Sequence, residues 1–240
     1  MHTNLKRGFT LLELLIVISI IAILSVILVI VLNPAETLKK ARDVQRFSDL
    51  ASLKTALGIY VTSTASPDLD DAVANFCLGE TDNTAAAVSY SEPITDVDCS
   101  AAVHPTEGTD VTAGSEFASG DYCRYVASGT HVLIDGTGWV PVDLAGLTGG
   151  SPISNLPVDP TNTVATDTAP INTDLVYRYV CQNTSTSPAP NFVFEFNATL
   201  ESNEYAGAAA TGRDYTDGGD HDTLYEVGTS LRLLGGSNTH

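Results

Sequence analysis

Positive charge is scarce over most of this chain. Of its 240 residues, 11 are Lys or Arg and 29 are Asp or Glu, which gives a formal net charge of −18. Beyond residue 54 only Arg124, Arg178, Arg213 and Arg232 oppose 25 acidic residues. Such a surface repels phosphate backbones, so we expect no nucleic-acid partner. The acidity is typical of a soluble surface in an extracellular or salty setting.

The sequence also lacks the motifs that mark common catalytic centres. It contains no GxSxG, no HExxH, no phosphate-binding loop and no dinucleotide-binding fingerprint. Its five His residues are scattered along the chain. His131 has no positioned partner in sequence, which favours a packed side chain over a general base. The sequence therefore predicts no catalytic residue, and we expect that the protein is not an enzyme.

Cysteine is rare, and no two cysteines form a CxxC pair. The four are Cys77, Cys99, Cys123 and Cys181, without His at zinc-ligand spacing. An even number in an exported chain favours two disulfides, and four cysteines allow three pairings. We prefer Cys77–Cys99, which closes a polar loop, and Cys123–Cys181, which joins two predicted strands.

One long apolar run stands near the N-terminus. Residues 1–8 are polar and positive, and residues 9–32 are apolar except for Glu13. As a helix these 24 residues extend roughly 36 Å, enough to cross a bilayer core of about 30 Å. Lys6 and Arg7 predict a cytoplasmic N-terminus, with the rest of the chain outside. The run is too long for an ordinary secretory signal and has no small-residue cleavage site at its far end.

Glu13 is the only charge in that run, and a carboxylate in a spanning helix needs a partner. Together with Lys6, Arg7, Gly8 and Phe9 it resembles the processing motif of type IV prepilins and pseudopilins. The resemblance implies that residues 1–8 are a leader which a prepilin peptidase removes between Gly8 and Phe9. Phe9 then becomes the N-methylated terminus, and the apolar helix stays on the mature protein.

The resemblance also implies that the protein polymerises with copies of itself and with other pilin-like subunits. Glu13 lies one helical turn from the new Phe9 amine, and in a low-dielectric helix bundle an unpaired charge is heavily penalised. We therefore expect the Glu13 carboxylate of one subunit to form an ion pair with the Phe9 amine of the incoming subunit. This pairing sets the axial offset between helices that leave the bilayer for a filament core.

A second helix is predicted for residues 34–62. Pro34 interrupts the first helix and, with Asn33 as N-cap and Glu36 three residues later, begins the next. Its apolar residues recur at intervals of three and four; they are Leu38, Ala41, Val44, Phe47, Leu50, Leu53, Leu57 and Tyr60. Most basic residues fall off that face; they are Lys39, Lys40, Arg42, Arg46 and Lys54. We interpret them as a solvated surface that meets acids of neighbouring subunits, rather than as a lipid or DNA contact.

The remainder predicts an α+β domain, with the long helix packed on a small antiparallel sheet. Residues 63–121 are polar and predict a loop-rich insertion, with short helical pieces, held by Cys77–Cys99. Residues 122–240 form the predicted β-sheet region, with Pro-rich, irregular residues 143–174 between its strands. Predicted strands cover 122–127, 131–135, 139–142, 175–181, 192–200 and 224–234. Residues 41–61 and 151–163 also resemble segments of type II secretion major pseudopilins.

A C-terminal loop concentrates carboxylates around two glycines. They are Asp214, Asp217, Asp220, Asp222 and Glu226. Hard carboxylate oxygens at close spacing suit calcium, although the spacing is not that of an EF-hand. Major pseudopilins similar to this chain bind calcium in their C-terminal loop, which implies the same cofactor here. The alternative is a solvated acidic loop without a metal.

Two classes of function stay open from the sequence. The first is a filament subunit, either of a type II secretion pseudopilus or of a type IV pilus for adhesion, motility or DNA uptake. It implies a single-pass inner-membrane precursor and an extracytoplasmic filament. The second is an extracellular binding domain on a plain signal anchor that does not polymerise, which predicts an intact Met1.

Overall fold

A computed structural model describes residues 9–70, 76–77, 88–92, 123–124, 126–163, 173–184, 191–206, 212–219, 221–231 and 233. The chain divides into two compact units, Met1–Lys39 and Lys40–His240, which we call the N-terminal unit and the globular unit. The apolar run and the acidic remainder of the sequence fall into different units.

Two long helices occupy the N-terminal part of the chain. Helix α1 is Leu11–Leu32 and helix α2 is Pro34–Ser63. Asn33 separates them in a left-handed conformation, with φ 37° and ψ 70°. Pro34 cannot donate a backbone hydrogen bond, so the predicted interruption falls between these helices. The Asn33 carbonyl accepts hydrogen bonds from the backbone nitrogens of Glu36 and Thr37, at 3.1 and 3.2 Å.

The globular unit contains a five-stranded sheet. Its strands are β1 (Val88–Tyr90), β2 (Cys123–Arg124), β3 (Tyr177–Thr184), β4 (Asn191–Ala198) and β5 (Tyr225–Gly228). They lie in the order β2-β1-β3-β4-β5. Strands β1, β3, β4 and β5 pair antiparallel with their neighbours in that order. The two-residue β2 pairs parallel with β1. The predicted α+β class, with a long helix packed on a small antiparallel sheet, is confirmed.

The hydrophobic core lies between α2 and one face of the sheet. Alternate residues of β3 and β4 point into it, among them Tyr177, Tyr179, Phe194 and Phe196. From α2 the core takes Leu50, Leu53, Ala56, Leu57 and Tyr60. Trp139 is fully buried in the same cluster and donates its indole N–H to the Pro157 carbonyl at 2.9 Å. Of the predicted apolar face of α2, Leu38 and Val44 are exposed instead.

Two predicted strands are wrong. Residues 131–135 and 139–142 form a compact loop that folds back on itself, with a single bridge between Asp135 and Asp143. The Trp139 nitrogen bonds the His131 carbonyl at 2.8 Å, and a Cβ on Gly138 would lie 2.0 Å from the Leu133 carbonyl oxygen. The β-rich composition of residues 139–142 therefore reflects burial in the core rather than a strand, whereas residues 131–135 are partly buried or exposed.

The disulfide predicted to hold residues 63–121 differs in the structure. The preferred pairings Cys77–Cys99 and Cys123–Cys181 are wrong, because Cys77 forms a disulfide with Cys181 in β3, 104 residues away. Phe76 stacks on Tyr179, and Leu69 and Val88 are fully buried. The described parts of this stretch therefore belong to the core and supply β1, an inner strand of the sheet. Cys99 lies outside the described residues.

Candidate processing and assembly site

The start of α1 is organised around Thr10 and Glu13. Thr10 is the N-cap, and its Oγ1 accepts a hydrogen bond from the Glu13 nitrogen at 3.2 Å. In return, Glu13 Oε2 accepts from the Thr10 nitrogen at 3.2 Å and from the Thr10 hydroxyl at 3.1 Å. This is a capping box, which satisfies backbone N–H groups that the first turn of a helix leaves free. Its Thr-x-x-Glu spacing is visible in the sequence, but the role of Thr10 was missed.

The capping box directs the Glu13 carboxylate back toward the chain start. Its oxygens lie against the backbone of Thr10, the residue directly after Phe9. A negative group also interacts favourably with the positive end of a helix dipole. The geometry can therefore present a carboxylate to an amine at position 9. Phe9 is exposed, whereas Gly8 lies outside the described residues.

Helix α1 has an apolar surface on every side. None of its 22 residues is buried, and Glu13 is its only charged residue. The hydroxyls of Ser19 and Ser25 donate to the carbonyls of Leu15 and Ile21, at 2.7 and 2.8 Å. These two polar groups are thus satisfied inside the helix and do not require water. A helix that is hydrophobic all round is suited to lipid or to a bundle of similar helices.

A sequence model of the family described as "Prokaryotic N-terminal methylation motif" matches residues 3–29. This chain carries a type IV pilin-like N-terminus. The match covers the processing motif and most of α1, and it does not distinguish pilins from pseudopilins. Among curated proteins and among solved structures, neither comparison found a match for the chain.

The type IV pilin-like N-terminus agrees with the composition of the helical segment. The structure has, among its described residues, one helical stretch that is long and apolar enough to cross a membrane, judged by length and composition only. The motif and this apolar helix fit a membrane-anchored precursor. The predicted roles of Gly8, Phe9 and Glu13 in cleavage and assembly stay predictions.

Three basic residues of α2 in the globular unit, Lys40, Arg42 and Arg46, have carboxylate partners within the chain. Arg46 is fully buried, and its guanidinium binds the Asp159 carboxylate through two bonds of 2.6 and 2.9 Å. It also binds Asp43 and Glu201, at 2.7 and 2.8 Å. Burial lowers the pKa of Arg46, but the hydrogen bonds with Asp159, Glu201 and Asp43 outweigh it and leave the pKa raised. The interpretation of Arg46 as solvated and facing a neighbour is therefore wrong.

Two further bases follow the same pattern. Arg42 forms a bidentate pair with Glu201, at 2.7 and 2.8 Å, and Lys40 forms an ion pair with Glu204. Hydrogen bonds from Arg42 lower the pKa of the Glu201 carboxyl. Glu201 lies 159 residues along the chain from Arg42 and 155 from Arg46, and Asp159 lies 113 residues from Arg46. Helix periodicity cannot reveal such distant partners.

The C-terminal acidic loop contains short helix α3 (Arg213–Thr216) and leads into β5. Asp217 Oδ1 accepts from the Gly219 nitrogen at 2.9 Å, and its Oδ2 accepts from the Glu226 nitrogen at 2.7 Å. Burial raises the pKa of Asp217 to about 6. Asp214 is buried, Asp222 is partly buried, and Asp220 lies outside the described residues.

Glu226 is not at the mouth of this loop but beneath it. Its carboxyl hydrogen-bonds to that of Glu195 in β4, and both side chains are buried. The Asn197 amide donates to Glu195 Oε1 at 2.8 Å and to Glu226 Oε1 at 3.3 Å. Burial, and then the neighbouring Glu195 carboxyl, raise the pKa of Glu226 well above its usual range. Two buried carboxyls in contact cannot both ionise, so the pair holds a proton.

The predicted metal ligands therefore do not converge in the described part of the loop. Within those residues no group of three or more Asp, Glu, His or Cys side chains is placed to hold a metal ion. A Cβ on Gly219 would lie 1.7 Å from Glu226 Oε2, so the loop backbone closes over that carboxyl. Calcium binding by Asp214, Asp217, Asp220, Asp222 and Glu226 stays a prediction.

Proposed function

We propose that this protein is a structural subunit of a type IV pilus-like or type II secretion pseudopilus filament. A prepilin peptidase removes residues 1–8, and the mature chain polymerises through α1 with copies of itself and with other pilin-like subunits. The observation that carries this proposal is the match of the N-terminal methylation motif over residues 3–29. The family of that motif is structural, and we propose no enzymatic activity.

The surface of α1 supports polymerisation physically. A helix with no buried residue and an apolar surface on every side is stable only where water is excluded. In the precursor, lipid meets that need, with the N-terminus on the cytoplasmic side. In the filament, α1 helices of neighbouring subunits replace the lipid. The globular unit then lies outside the inner membrane, at the filament surface.

Glu13 supplies the specificity of this packing. Its carboxylate already points toward the chain start through the capping box with Thr10. After cleavage, the Phe9 amine of an incoming subunit is a cation that can replace those hydrogen bonds. Leaving either charge unpaired among apolar helices is strongly unfavourable, so the paired register is selected.

The first experiment expresses the full chain with a prepilin peptidase and counts filaments by electron microscopy. Glu13→Ala is expected to leave cleavage intact and to reduce filaments strongly, because the incoming amine loses its partner. Gly8→Val is expected to block cleavage, with full-length chain remaining in the membrane. Ser19→Ala is a matched control in α1, since its hydroxyl bonds only within the helix.

Two results would count against the proposal. One is normal filaments from processed Glu13→Ala protein. The other is a chain that keeps Met1 and stays monomeric in the presence of the peptidase, as expected for an extracellular binding domain on a plain anchor. Long fibres on cells assign a pilus, and short fibres confined to the cell envelope assign a pseudopilus.

Calcium at the C-terminal loop is a separate proposal about this subunit. Titration of calcium into the detergent-extracted full chain should release heat and raise the melting temperature of the globular unit. Asp214→Asn with Asp222→Asn should remove both effects, whereas Asp135→Asn, an exposed acid outside the loop, should not. Absence of heat and of any melting shift in the parent protein would reject calcium as a cofactor.

A further inference from the structure

A groove of about 470 Å³ runs along the globular unit between α2, α3 and β5. Ala51, Lys54 and Thr55 form its α2 side, and Arg213 with Asp217 forms its α3 side. Tyr225 and the following residues of β5 form the floor. The groove lies on the face of α2 that does not carry the buried Leu50, Leu53 and Leu57.

The groove holds two cations that have no carboxylate partner among the described residues. Lys40, Arg42 and Arg46 have carboxylate partners, and Arg178 is fully buried. Lys54 and Arg213 are both exposed, and neither has a carboxylate within ion-pair distance in the described structure. In so acidic a chain, the placement of these two cations in one groove indicates a site for an anion.

Arg213 is held in place at the groove wall. Its guanidinium carbon lies 5.6 Å from the centroid of the Phe47 ring, in a cation–π contact. Phe47 in turn packs edge-on against Tyr205 and Tyr225, with centroid distances of 5.2 and 4.7 Å. A stacked guanidinium keeps its N–H donors at the edge of the plane, where they match the two oxygens of a carboxylate.

The groove's own acids are engaged elsewhere. Both Asp217 oxygens accept backbone hydrogen bonds, from Gly219 and Glu226. The Glu226 carboxyl accepts hydrogen bonds from the Asn197 side-chain amide at 3.3 Å and from the His221 backbone nitrogen at 3.0 Å. Among the described residues, neither acid forms an ion pair with Lys54 or Arg213.

We propose that this groove binds an acidic surface segment of a second copy of this chain, with Lys54 and Arg213 pairing its carboxylates. Charge complementarity selects that occupant: beyond residue 54 the chain carries 25 acidic residues against four basic ones. The inference rests on the proposed filament, because neighbouring subunits there meet at very high local concentration. It adds a contact between globular units to the packing of α1.

Carbodiimide cross-linking of mixed filaments tests the contact directly. Filaments assembled from isotopically labelled and unlabelled full-length chains are treated with the carbodiimide, which joins Lys54 to a carboxylate it touches, and are analysed by mass spectrometry. The expected product is a labelled–unlabelled peptide pair that contains Lys54 and an Asp or Glu of another copy. Lys54 cross-links confined to one chain, or formed with a different protein or lipid, would overturn the proposal.

A charge variant provides the second test. Lys54→Gln with Arg213→Gln should leave processing unchanged and yield roughly three- to tenfold less filament, since several exposed ion pairs per subunit are lost. The parent's filaments should also dissociate more readily in high salt, and the variant's should respond less. Ser52→Glu with Ser63→Glu makes the same charge change on exposed α2 residues outside the groove and should assemble normally.

The outcomes separate this proposal from the filament itself. If the parent chain is not cleaved and makes no filament, the proposed function fails. If the parent assembles and the Lys54/Arg213 variant assembles equally well with the same salt response, the groove contact fails while the filament stands. If both double variants lose filaments equally, net charge alone explains the loss and the groove contact is again rejected.

Discussion

Helix α1 and the globular unit differ in which side chains they bury. None of the residues of α1 is buried, although it is apolar throughout apart from Glu13 and two serines. The globular unit buries charged groups instead, including Arg46, Asp43 and Asp159, and satisfies them within the chain. The apolar surface of α1 needs other molecules to shield it from water. The buried charges of the globular unit are satisfied within the chain. The comparison teaches that the proposed assembly depends on the apolar run of α1, whose surface is suited to lipid or to similar helices.

Within the globular unit, loss of the Cys77–Cys181 disulfide should have the largest effect on the free energy of unfolding. Its loss with Cys77→Ser and Cys181→Ser should lower the free energy of unfolding by about 4–5 kcal/mol, since it closes a loop of 104 residues. The fluorescence of Trp139, the only Trp and a fully buried one, reports unfolding of the globular unit. A change under about 1 kcal/mol would contradict the assigned contribution.

Substitution of Arg46 should lower the free energy of unfolding by nearly as much. Arg46→Met should lower the free energy of unfolding by about 3–5 kcal/mol, because it leaves the buried Asp43 and Asp159 carboxylates without a cation. Lys54→Met is the matched control on the same helix and should change it by less than about 0.5 kcal/mol, because Lys54 is exposed. Equal effects of the two variants would show that the Arg46 network is not the stabilising feature.

The Glu195–Glu226 pair should give a pH-dependent effect of about 1–3 kcal/mol. The folded state keeps the pKa of Glu226 raised, so stability from its proton is present below the ordinary value of 4.5 and is lost as pH rises above it. Glu226→Gln keeps a hydrogen-bond donor to Glu195 but has no titrating proton. Its free energy of unfolding should therefore exceed that of the parent by an amount that grows from pH 5 to pH 9. Chemical denaturation at several pH values measures this.

The control for that titration is Glu204→Gln, which removes an exposed carboxylate paired with Lys40. Its effect should stay below about 1 kcal/mol and depend little on pH above the ordinary range of a carboxyl. A parent protein whose stability is flat between pH 5 and pH 9, and a Glu226→Gln variant parallel to it, would show that the pair holds no proton.

Glu13 should have the smallest effect on folding. Glu13→Ala removes a cap of α1, worth about 1 kcal/mol to that helix, and touches nothing buried. Unfolding of the globular unit, followed by Trp139, should change by less than about 0.5 kcal/mol. A large loss of stability would mean that reduced assembly of this variant reflects misfolding rather than a missing ion pair.

The sequence predicted those elements whose signal is local. Helix α1 follows from an uninterrupted apolar run, α2 from residues spaced by three and four, and β3 and β4 from alternating side chains. The interruption at Asn33 and Pro34 follows from proline chemistry. At the candidate site, the same local signals identified Gly8, Phe9 and Glu13, and the match over residues 3–29 agrees with that motif.

The features that the sequence did not reveal depend on distant partners. Strand β1 has only three residues in a polar stretch and is recognisable only when β3 pairs with it. Arg46 has the sequence pattern of a solvated base, but Asp159 and Glu201 come from far along the chain to bury it. The Cys77 pairing was assigned by proximity in sequence, whereas the packing of Phe76 on Tyr179 brings Cys77 to Cys181.

Intact mass of the membrane-extracted protein, produced with a prepilin peptidase and then concentrated, tests the central claim most directly. The account predicts a chain that begins at Phe9, carries one added methyl group, and sediments as a polymer that Glu13→Ala abolishes. A chain that still carries residues 1–8 and remains monomeric at high concentration would contradict it.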